Sequence, residues 1–211
     1  MKNISHWTFR YIIERLSVGL FKSKYPDNLP CLAVGAIQFF DGFLKKTDVM
    51  FEYGAGYSTT WFAKRVGKII SVESDEKWYN LVKTQIAKYG NAQIYLINSK
   101  ENKTPLSHVS WQYVNKINEF PKGSFDLILN DGYARPLVAL QAIDYLKRGG
   151  VFAWDDWGNL SPVEHSFVPG RMKSEDDVID YMKEFLERIN DWRRAIFDDG
   201  THTTALFFKP D

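Results

Sequence analysis

The stretch FEYGAGYSTTWFAKRVGKIISVESDEKWY, residues 51–79, decides the fold of this chain. An apolar run at 49–53 leads into Gly54 and Gly56, a helical pattern follows, and a second apolar run occupies 68–73. Short apolar runs on either side of a helical pattern are typical of buried parallel strands. The stretch therefore predicts a strand–turn–helix–strand unit whose glycines let the backbone turn tightly and approach a ligand closely.

The same alternation continues along the chain. The next predicted elements are strands at 93–97, 125–130 and 151–155, and helices at 76–88, around 111–117, and at 136–147. This order predicts an α/β fold with a parallel sheet and helices on both faces. A helix is then predicted from Ser174. Beyond it, the tight-turn pair Asp199-Gly200 separates two apolar runs, 192–197 and 203–208, so we expect the sheet to close with an antiparallel hairpin.

Composition narrows the classes of function. The 211 residues (24.5 kDa) suit one compact fold, and 27 Lys and Arg against 26 Asp and Glu give a net charge of +1. That balance lacks the basic footprint of a general nucleic-acid binder, so no nucleic-acid partner is expected. The single cysteine, Cys31, cannot form an internal disulfide, which favours a reducing, cytoplasmic location. No apolar run is long enough for a membrane span.

Residues 1–46 are predicted to form a helical extension ahead of the main domain at 47–211. Apolar residues recur at helical spacing in the first part of the extension, and basic residues outnumber acidic ones there. The pattern favours a helix that packs on the domain or on a second subunit, which makes a homodimer one of the expected arrangements. A helix lying on a membrane surface is the alternative.

Two acidic residues follow the first two strands. Glu73 lies 19 residues after Gly54 and ends the second strand, where an acidic side chain can reach both hydroxyls of a ribose. Glu52 ends the first strand and either orders the turn or faces the ammonium group of a ligand. Position 59 is Thr rather than the Gly of a dinucleotide fingerprint, which argues against a pyrophosphate on this turn.

Three further carboxylates fall at the ends of the fourth and fifth strands. Asp131, Asp155 and Asp156 should meet at the edge of the sheet where open α/β proteins bind ligands. Carboxylates that converge either repel one another or share a hard cation such as Mg²⁺, so these three are the predicted metal ligands. In the alternative, Asp155 or Asp156 caps the next segment and Asp131 acts alone.

The segment 157–173 is long and has no clear element of its own, which is typical of a functional loop. It carries His165, whose ordinary pKa suits a general base, although a loop histidine is more often simply exposed. Arg135, four residues beyond Asp131, either binds an anionic acceptor through its planar guanidinium or is a surface residue.

The quoted stretch, together with FDLILNDGYARPLVALQAIDYLKRGGVFAWDD (125–156), resembles the motifs of the class I S-adenosylmethionine-dependent methyltransferases. The predicted hairpin is similar to the reversed seventh strand of that family, and the resemblance covers residues 30–210. It implies a Rossmann-like, doubly wound sheet of seven strands, with S-adenosylmethionine as the cofactor. The cofactor-binding residues that it implies are Gly54, Gly56, Glu73, Asn98, Ser99 and Asp131. Glu52, Ser58 and Ser74 complete the predicted cofactor-binding set, and the predicted catalytic residues are Asp131 and His165.

The resemblance implies methyl transfer to a small-molecule acceptor. An oxygen nucleophile, such as a sugar or natural-product hydroxyl, is expected because the site is rich in carboxylates and has no Asn-Pro-Pro-Tyr signature of N-methylation. The metal-dependent catechol-type members have an acid after strand four and an Asp-Asn pair after strand five. This chain has Asp155-Asp156 instead, and Ala134 and Arg135 stand where those members have a lysine. The alternatives are a catalytically silent binding or scaffold subunit and an aminopropyl transferase.

Overall fold

The computed structural model of the chain describes residues 29–98, 111–157, 176–200 and 202–211. Its strands are β1 Val49–Tyr53, β2 Lys68–Glu73, β3 Ala92–Leu96, β4 Phe125–Asn130, β5 Leu146–Asp155, β6 Arg193–Asp198 and β7 Thr203–Phe208. Its α-helices are α1 Val34–Phe43, α2 Tyr57–Ala63, α3 Glu76–Ile86, α4 Trp111–Val114, α5 Arg135–Ala142 and α6 Asp176–Arg188. Two 3₁₀ turns, Asn115–Glu119 and Ile143–Tyr145, complete the elements of these ranges.

The strands form one sheet in the order β3-β2-β1-β4-β5-β7-β6. Strands β1 to β5 are mutually parallel, whereas β7 runs antiparallel to both of its neighbours. The seven-stranded, mostly parallel sheet and its reversed hairpin confirm the predicted fold class. Strand order reverses between β1 and β4, and ligands of such sheets bind at the carboxyl ends of the strands beside that reversal.

Helices cover both faces of the sheet because its central strands are apolar on both sides. In β1, Phe51 and Tyr53 point to the face covered by α5 and α6, whereas Met50 points to the face covered by α1 and α2. This alternation is the two-residue period of a strand. The rigid double-sided core fixes where each strand ends, and the strand ends position the site.

Helix α1 shares the core of the sheet. Its Phe40 is fully buried and packs edge to face on Phe62 of α2, with the ring centroids 5.5 Å apart. The Phe40 ring also packs edge to face on Phe39 of the same helix, at 5.6 Å. The last part of the predicted extension 1–46 therefore packs on the domain. Residues 1–28 lie outside the described residues, and so does the predicted amphipathic helix that suggested a homodimer.

The predicted helix 136–147 is too long. Helix α5 ends at Ala142, and β5 begins at Leu146, five residues before its predicted start. Leu146 is buried and pairs with Phe125, and the next paired residue of β5 is Val151, opposite Leu127. Residues 147–150 therefore form an irregularity inside the strand. None of the helices in the described ranges is both long and apolar enough to cross a membrane.

Candidate functional site

A cavity of about 320 Å³ opens at the carboxyl ends of β1, β2 and β4, beside the reversal of strand order. It is the place at which the sequence predicts a ligand. Its lining residues are Cys31, Gly54, Ala55, Gly56, Tyr57, Ser58, Glu73, Ser74, Trp78, Asp131, Gly132 and Tyr133.

The two glycines of the β1 turn have different roles. Gly54 has a φ of +87°, and a Cβ there would lie 2.6 Å from the backbone oxygen of Asp131. Gly54 therefore allows the turn to touch the end of β4. Gly56 has extended backbone, and a Cβ there would meet only the Ser58 hydroxyl, at 3.8 Å. Because Gly56 also lines the cavity, its backbone is the part of the turn that a ligand can approach.

Glu52 is fully buried beneath the turn. Its Oε1 accepts a hydrogen bond from the Ser58 hydroxyl, and its Oε2 accepts from the hydroxyls of Thr59 and Ser71, each at 2.6 Å. Burial raises the pKa of Glu52 to about 7, against the opposing effect of the three hydroxyls. Glu52 does not line the cavity. Of the two roles left open by the sequence, the geometry supports ordering of the turn.

Glu73 joins the β1 turn to the β2 turn and also lines the cavity. Its Oε2 accepts the backbone N–H of Ala55 at 2.8 Å, and its Oε1 accepts the N–H groups of Ser74 and Asp75, both at 2.7 Å. A carboxylate offers about four acceptor sites, so three bonds leave capacity for one further donor. The position at the cavity wall suits the predicted ribose contact.

Two aromatic side chains at the rim are absent from the residues predicted by sequence. Tyr57 and Trp78 pack edge to face, with ring centroids 5.9 Å apart, and remain 37% and 43% exposed. Trp78 is placed there because Asp75 caps α3 and accepts the N–H groups of Lys77 and Trp78. The sequence signal that could have identified Trp78 is an aromatic residue in the first turn of the helix that follows Glu73, the predicted ribose-binding acid.

Asp131 brings the second group of acids to the cavity. Its Oδ1 accepts a hydrogen bond from Nη2 of Arg135 at 2.9 Å, and Nη1 of the same guanidinium donates to Oδ2 of Asp156 at 3.3 Å. Asp155 is buried and accepts from the Thr204 hydroxyl at 2.8 Å. Arg135 thus lies between two of the three carboxylates, and its guanidinium is already paired rather than open to an anionic acceptor.

Burial controls the protonation of these acids. It raises the pKa of Asp131 to about 6, although the Arg135 guanidinium opposes the rise. The pKa of Asp155 lies well above its usual range because of burial and the neighbouring charges of Asp131 and Asp156. At neutral pH Asp131 is therefore mostly ionised, whereas burial and the neighbouring negative charges favour the protonated form of Asp155.

The predicted metal set does not assemble as expected. Within the described ranges, the metal-ligating atoms that come within 4.8 Å of one another belong to Asp155, Asp156 and His202, and Asp131 is not a member of that group. A cation bound to Asp156 would also lie beside the positive Arg135 guanidinium, which is 3.3 Å from the Asp156 carboxylate. The residues present therefore do not fit a divalent ion held by Asp131, Asp155 and Asp156.

The remaining predicted residues are distributed as follows. Ser58 and Ser74 line the cavity, and their contact with a cofactor stays a prediction. Asn98 is exposed at the end of β3 and is not part of the cavity wall. Ser99 and His165 lie outside the described residues.

Comparison with solved structures supports the assignment of the fold. A candidate caffeoyl-CoA O-methyltransferase from Staphylococcus aureus superposes with a TM-score of 0.58 at 17% identity, over 94% of this chain and 99% of that one. A candidate methyltransferase from Streptococcus mutans, in complex with SAH, gives 0.52 at 13% identity over 82% and 94%. An rRNA methylase from Streptococcus thermophilus gives 0.54 at 13% identity over 82% and 93%.

The fold is that of the class I S-adenosylmethionine-dependent methyltransferases. No protein-family model matches the sequence, and no curated protein matches it either. At these identities the structural likeness establishes the fold alone, and the neighbours named above include both an O-methyltransferase candidate and an RNA methylase. What the chain binds and does must therefore be argued from its own residues.

Proposed function

We propose that this protein transfers a methyl group from S-adenosylmethionine to an oxygen atom of a small molecule. The observation that carries the proposal is the cavity at the ends of β1, β2 and β4, with the open backbone of Gly56 on one side and the Glu73 carboxylate on the other. The S. mutans neighbour of the same fold was solved with SAH, the demethylated donor.

The cavity is suited to such a donor in size and chemistry. Its volume of about 320 Å³ lies within the range of small-molecule sites. Glu73 has capacity to accept a ribose hydroxyl, and the missing side chain of Gly56 leaves room beside the backbone. S-Adenosylmethionine would supply a methyl group attached to a sulfonium, which is a good leaving group.

We assign the role of general base, which accepts the proton of the acceptor hydroxyl, to Asp131. It lines the cavity, and Arg135 fixes the orientation of its carboxylate through Oδ1. The Asp131 carboxylate would accept the proton that the acceptor hydroxyl gives up when the donor supplies its methyl group. A positioned base of this kind contributes about 10²- to 10⁴-fold to the rate. His165 stays a predicted alternative base.

The nature of the acceptor and the location are parts of the proposal. A net charge of +1 gives no general attraction for nucleic acid, which favours a small molecule over the RNA acceptor of the S. thermophilus neighbour. The single cysteine is exposed and has no second cysteine to oxidise with in the chain, which favours a reducing cytoplasm.

The deciding experiment is calorimetric titration of S-adenosylhomocysteine into the wild-type protein, with NAD as the control ligand. We expect micromolar binding of S-adenosylhomocysteine and none of NAD. Binding should fall at least about tenfold in Glu73→Ala, equivalent to about 1.4 kcal/mol. The exposed Glu184→Ala variant is the matched control and should bind like the wild type.

Failure of the wild type to bind would contradict the proposal, and the catalytically silent subunit would then become the favoured function. Loss of binding in Glu73→Ala is informative only if the variant stays folded, because Glu73 also accepts three backbone N–H groups. Glu73→Gln retains one acceptor oxygen and the side-chain volume. It should keep the fold and still bind more weakly than the wild type.

A further inference from the structure

Asp131 and Asp156, at the ends of β4 and β5, are arranged as in a cation site. The positive group between them is the guanidinium of Arg135. The Arg135 guanidinium contacts Oδ1 of Asp131 at 2.9 Å and Oδ2 of Asp156 at 3.3 Å. It also donates to the backbone oxygen of Asp131 at 3.3 Å. One positive group thus bridges the ends of two neighbouring strands.

We propose that Arg135 takes the place of a divalent cation in this cluster, and that methyl transfer by this chain needs no metal. The proposal rests on the proposed function for its catalytic meaning. Its structural content, that the guanidinium occupies the position between the carboxylates, stands independently of which reaction is catalysed.

The placement of Arg135 is built into the fold. Ala134 has a φ of +53°, a left-handed conformation that a non-glycine residue adopts rarely, and it directly precedes α5. Asn130 of β4 donates its side-chain N–H to the Arg135 carbonyl at 2.9 Å. The Arg135 side chain is 21% exposed, so most of it is shielded from water. The guanidinium is therefore held over the carboxylates rather than extended into solvent.

Charge also favours an arginine here over a bound ion. Two carboxylates close to each other repel unless a positive charge lies between them. A guanidinium supplies that charge with directed hydrogen bonds and keeps its proton at all ordinary pH values. Asp155, the third acid, is accommodated differently, since it is buried and bonded to Thr204. Side chains of the protein thus provide partners for all three acids, Arg135 for Asp131 and Asp156 and Thr204 for Asp155.

Arg135 acts as a positioning residue in this scheme. It orients Asp131, whose carboxylate reaches the cavity, and it neutralises Asp156, which does not line the cavity. Removal of the guanidinium should leave Asp131 and Asp156 without their shared positive charge and able to bind a hard divalent ion through oxygen.

The test is Mn²⁺ binding, measured by electron paramagnetic resonance, to the wild type and to Arg135→Gln, Arg135→Ala and Arg135→Lys. We expect no specific Mn²⁺ binding by the wild type or by Arg135→Lys, which keeps a positive charge. Arg135→Gln and Arg135→Ala should bind Mn²⁺ specifically, at least about tenfold more tightly than any residual, non-specific binding by the wild type. Arg193→Ala removes an exposed arginine and should behave like the wild type.

Two outcomes would overturn the proposal. One is specific Mn²⁺ binding by the wild type that is lost in His202→Ala, because that result would place a metal on Asp155, Asp156 and His202 beside Arg135. The other is the absence of Mn²⁺ binding in folded Arg135→Gln, because the carboxylates would then have no affinity for a cation. The wild-type measurement tests the proposal even if the alanine variant does not fold.

Binding of S-adenosylhomocysteine separates this inference from the proposed function. Wild type that binds S-adenosylhomocysteine and also requires Mg²⁺ for turnover would refute the role of Arg135 while leaving the methyltransferase assignment intact. Wild type that binds no S-adenosylhomocysteine would refute the assignment. The Mn²⁺ measurements on the Arg135 variants would still test whether the guanidinium occupies a cation position.

Discussion

The acids in the two halves of the sheet edge have different partners, neutral hydrogen-bond donors in one half and a positive charge in the other. On the β1 and β2 side, Glu52 and Glu73 accept hydrogen bonds from neutral groups, three hydroxyls in one case and three backbone N–H groups in the other. On the β4 and β5 side, Asp131 and Asp156 share one guanidinium. Neutral donors fix a loop without adding charge, whereas the Arg135 guanidinium adds a positive charge that opposes the rise in the pKa of Asp131 caused by burial.

The difference matches the task proposed for each half. A donor molecule needs a preformed wall, and the hydrogen bonds of Glu52 and Glu73 join the β1 turn, the β2 turn and the start of α2 into one unit. Proton transfer needs a carboxylate that is ionised at neutral pH and shielded from water. Asp131 fits this description, because burial raises its pKa and the Arg135 guanidinium limits that rise. We therefore expect substitutions on one side to affect donor binding and those on the other to affect turnover.

The largest expected effect separates the two halves directly. Asp131→Asn keeps the side-chain volume but cannot take up a proton, so turnover should fall on the order of 10³-fold, about 4 kcal/mol of activation free energy. Affinity for S-adenosylhomocysteine should change by less than about threefold. Turnover and calorimetry on the same preparation measure both quantities.

Asp180→Asn, at a side chain that is 78% exposed, is the control for loss of an acid and should leave both quantities unchanged. If Asp131→Asn turned over at the wild-type rate, the base would have to be sought elsewhere, and His165 would be the first residue to replace.

A pair of glycine substitutions tests the donor half. Gly54→Ala places a Cβ 2.6 Å from the Asp131 carbonyl oxygen at a positive φ, and should lower the free energy of unfolding by about 3 kcal/mol. Gly56→Ala meets no protein atom closer than 3.8 Å, so its stability should stay close to that of the wild type. Its Cβ should nevertheless weaken S-adenosylhomocysteine binding, because Gly56 lines the cavity.

Urea unfolding and calorimetry distinguish the two glycines. Equal stability of Gly54→Ala and the wild type would show that the β1 turn does not depend on close contact with the end of β4. Unchanged binding by a stable Gly56→Ala would show that the ligand does not approach this backbone.

The same contrast explains what can be predicted from sequence. The sequence brings Glu73 to the β1 turn, where it lines the cavity, because strand β2, the β1 turn and their spacing all lie within one short stretch. It does not predict the pairing of Arg135 with Asp156, because the two residues are 21 positions apart and follow different strands. The sequence leaves open whether a metal lies between the acids, because spacing shows which strand ends converge but not which side chain reaches between them.

Other differences have equally local causes. The predicted helix 136–147 runs past the observed end because the pattern of Ala142 to Leu146 continues the apolar spacing of α5, and only pairing with Phe125 assigns Leu146 to β5. In the sequence pattern, Trp78 is an ordinary helix residue. Its place at the cavity depends on Asp75, which caps α3 and so begins the helix directly after β2.

A smaller effect concerns pH and tests the neutral half. The pKa of Glu52 is about 7 in the folded chain and 4.5 when unperturbed, so its protonated form favours folding. The stabilisation is present below about pH 4.5 and is lost as the pH rises toward 7. Between about pH 5 and about pH 8 the wild type should lose about 2.5 kcal/mol relative to Glu52→Gln, which has no proton to release.

Urea unfolding of both proteins at the two pH values measures this difference, and Glu184→Gln serves as the exposed control. A difference between wild type and Glu52→Gln that is independent of pH would mean that the three hydroxyls keep Glu52 ionised throughout. In that case the two halves of the site would not differ in the way described above.

The smallest expected effect concerns the aromatic rim. Trp78→Ala removes a ring that is 43% exposed and lines the cavity beside Glu73, and should weaken S-adenosylhomocysteine binding about fivefold, near 1 kcal/mol. Trp111→Ala removes a ring that is 55% exposed and does not line the cavity, so it should bind like the wild type.

Tryptophan fluorescence adds a readout that affinity alone does not provide. If the donor contacts the Trp78 ring, ligand addition should change the emission of the wild type and of Trp111→Ala, and this change should be reduced in Trp78→Ala. An unchanged response in Trp78→Ala would confine donor binding to the backbone of the β1 turn and the Glu73 carboxylate. Tyr57 and Trp78 would then be expected to contact the acceptor instead. Part of acceptor recognition would therefore lie in the β1 and β2 half of the sheet edge, which is assigned above to the donor.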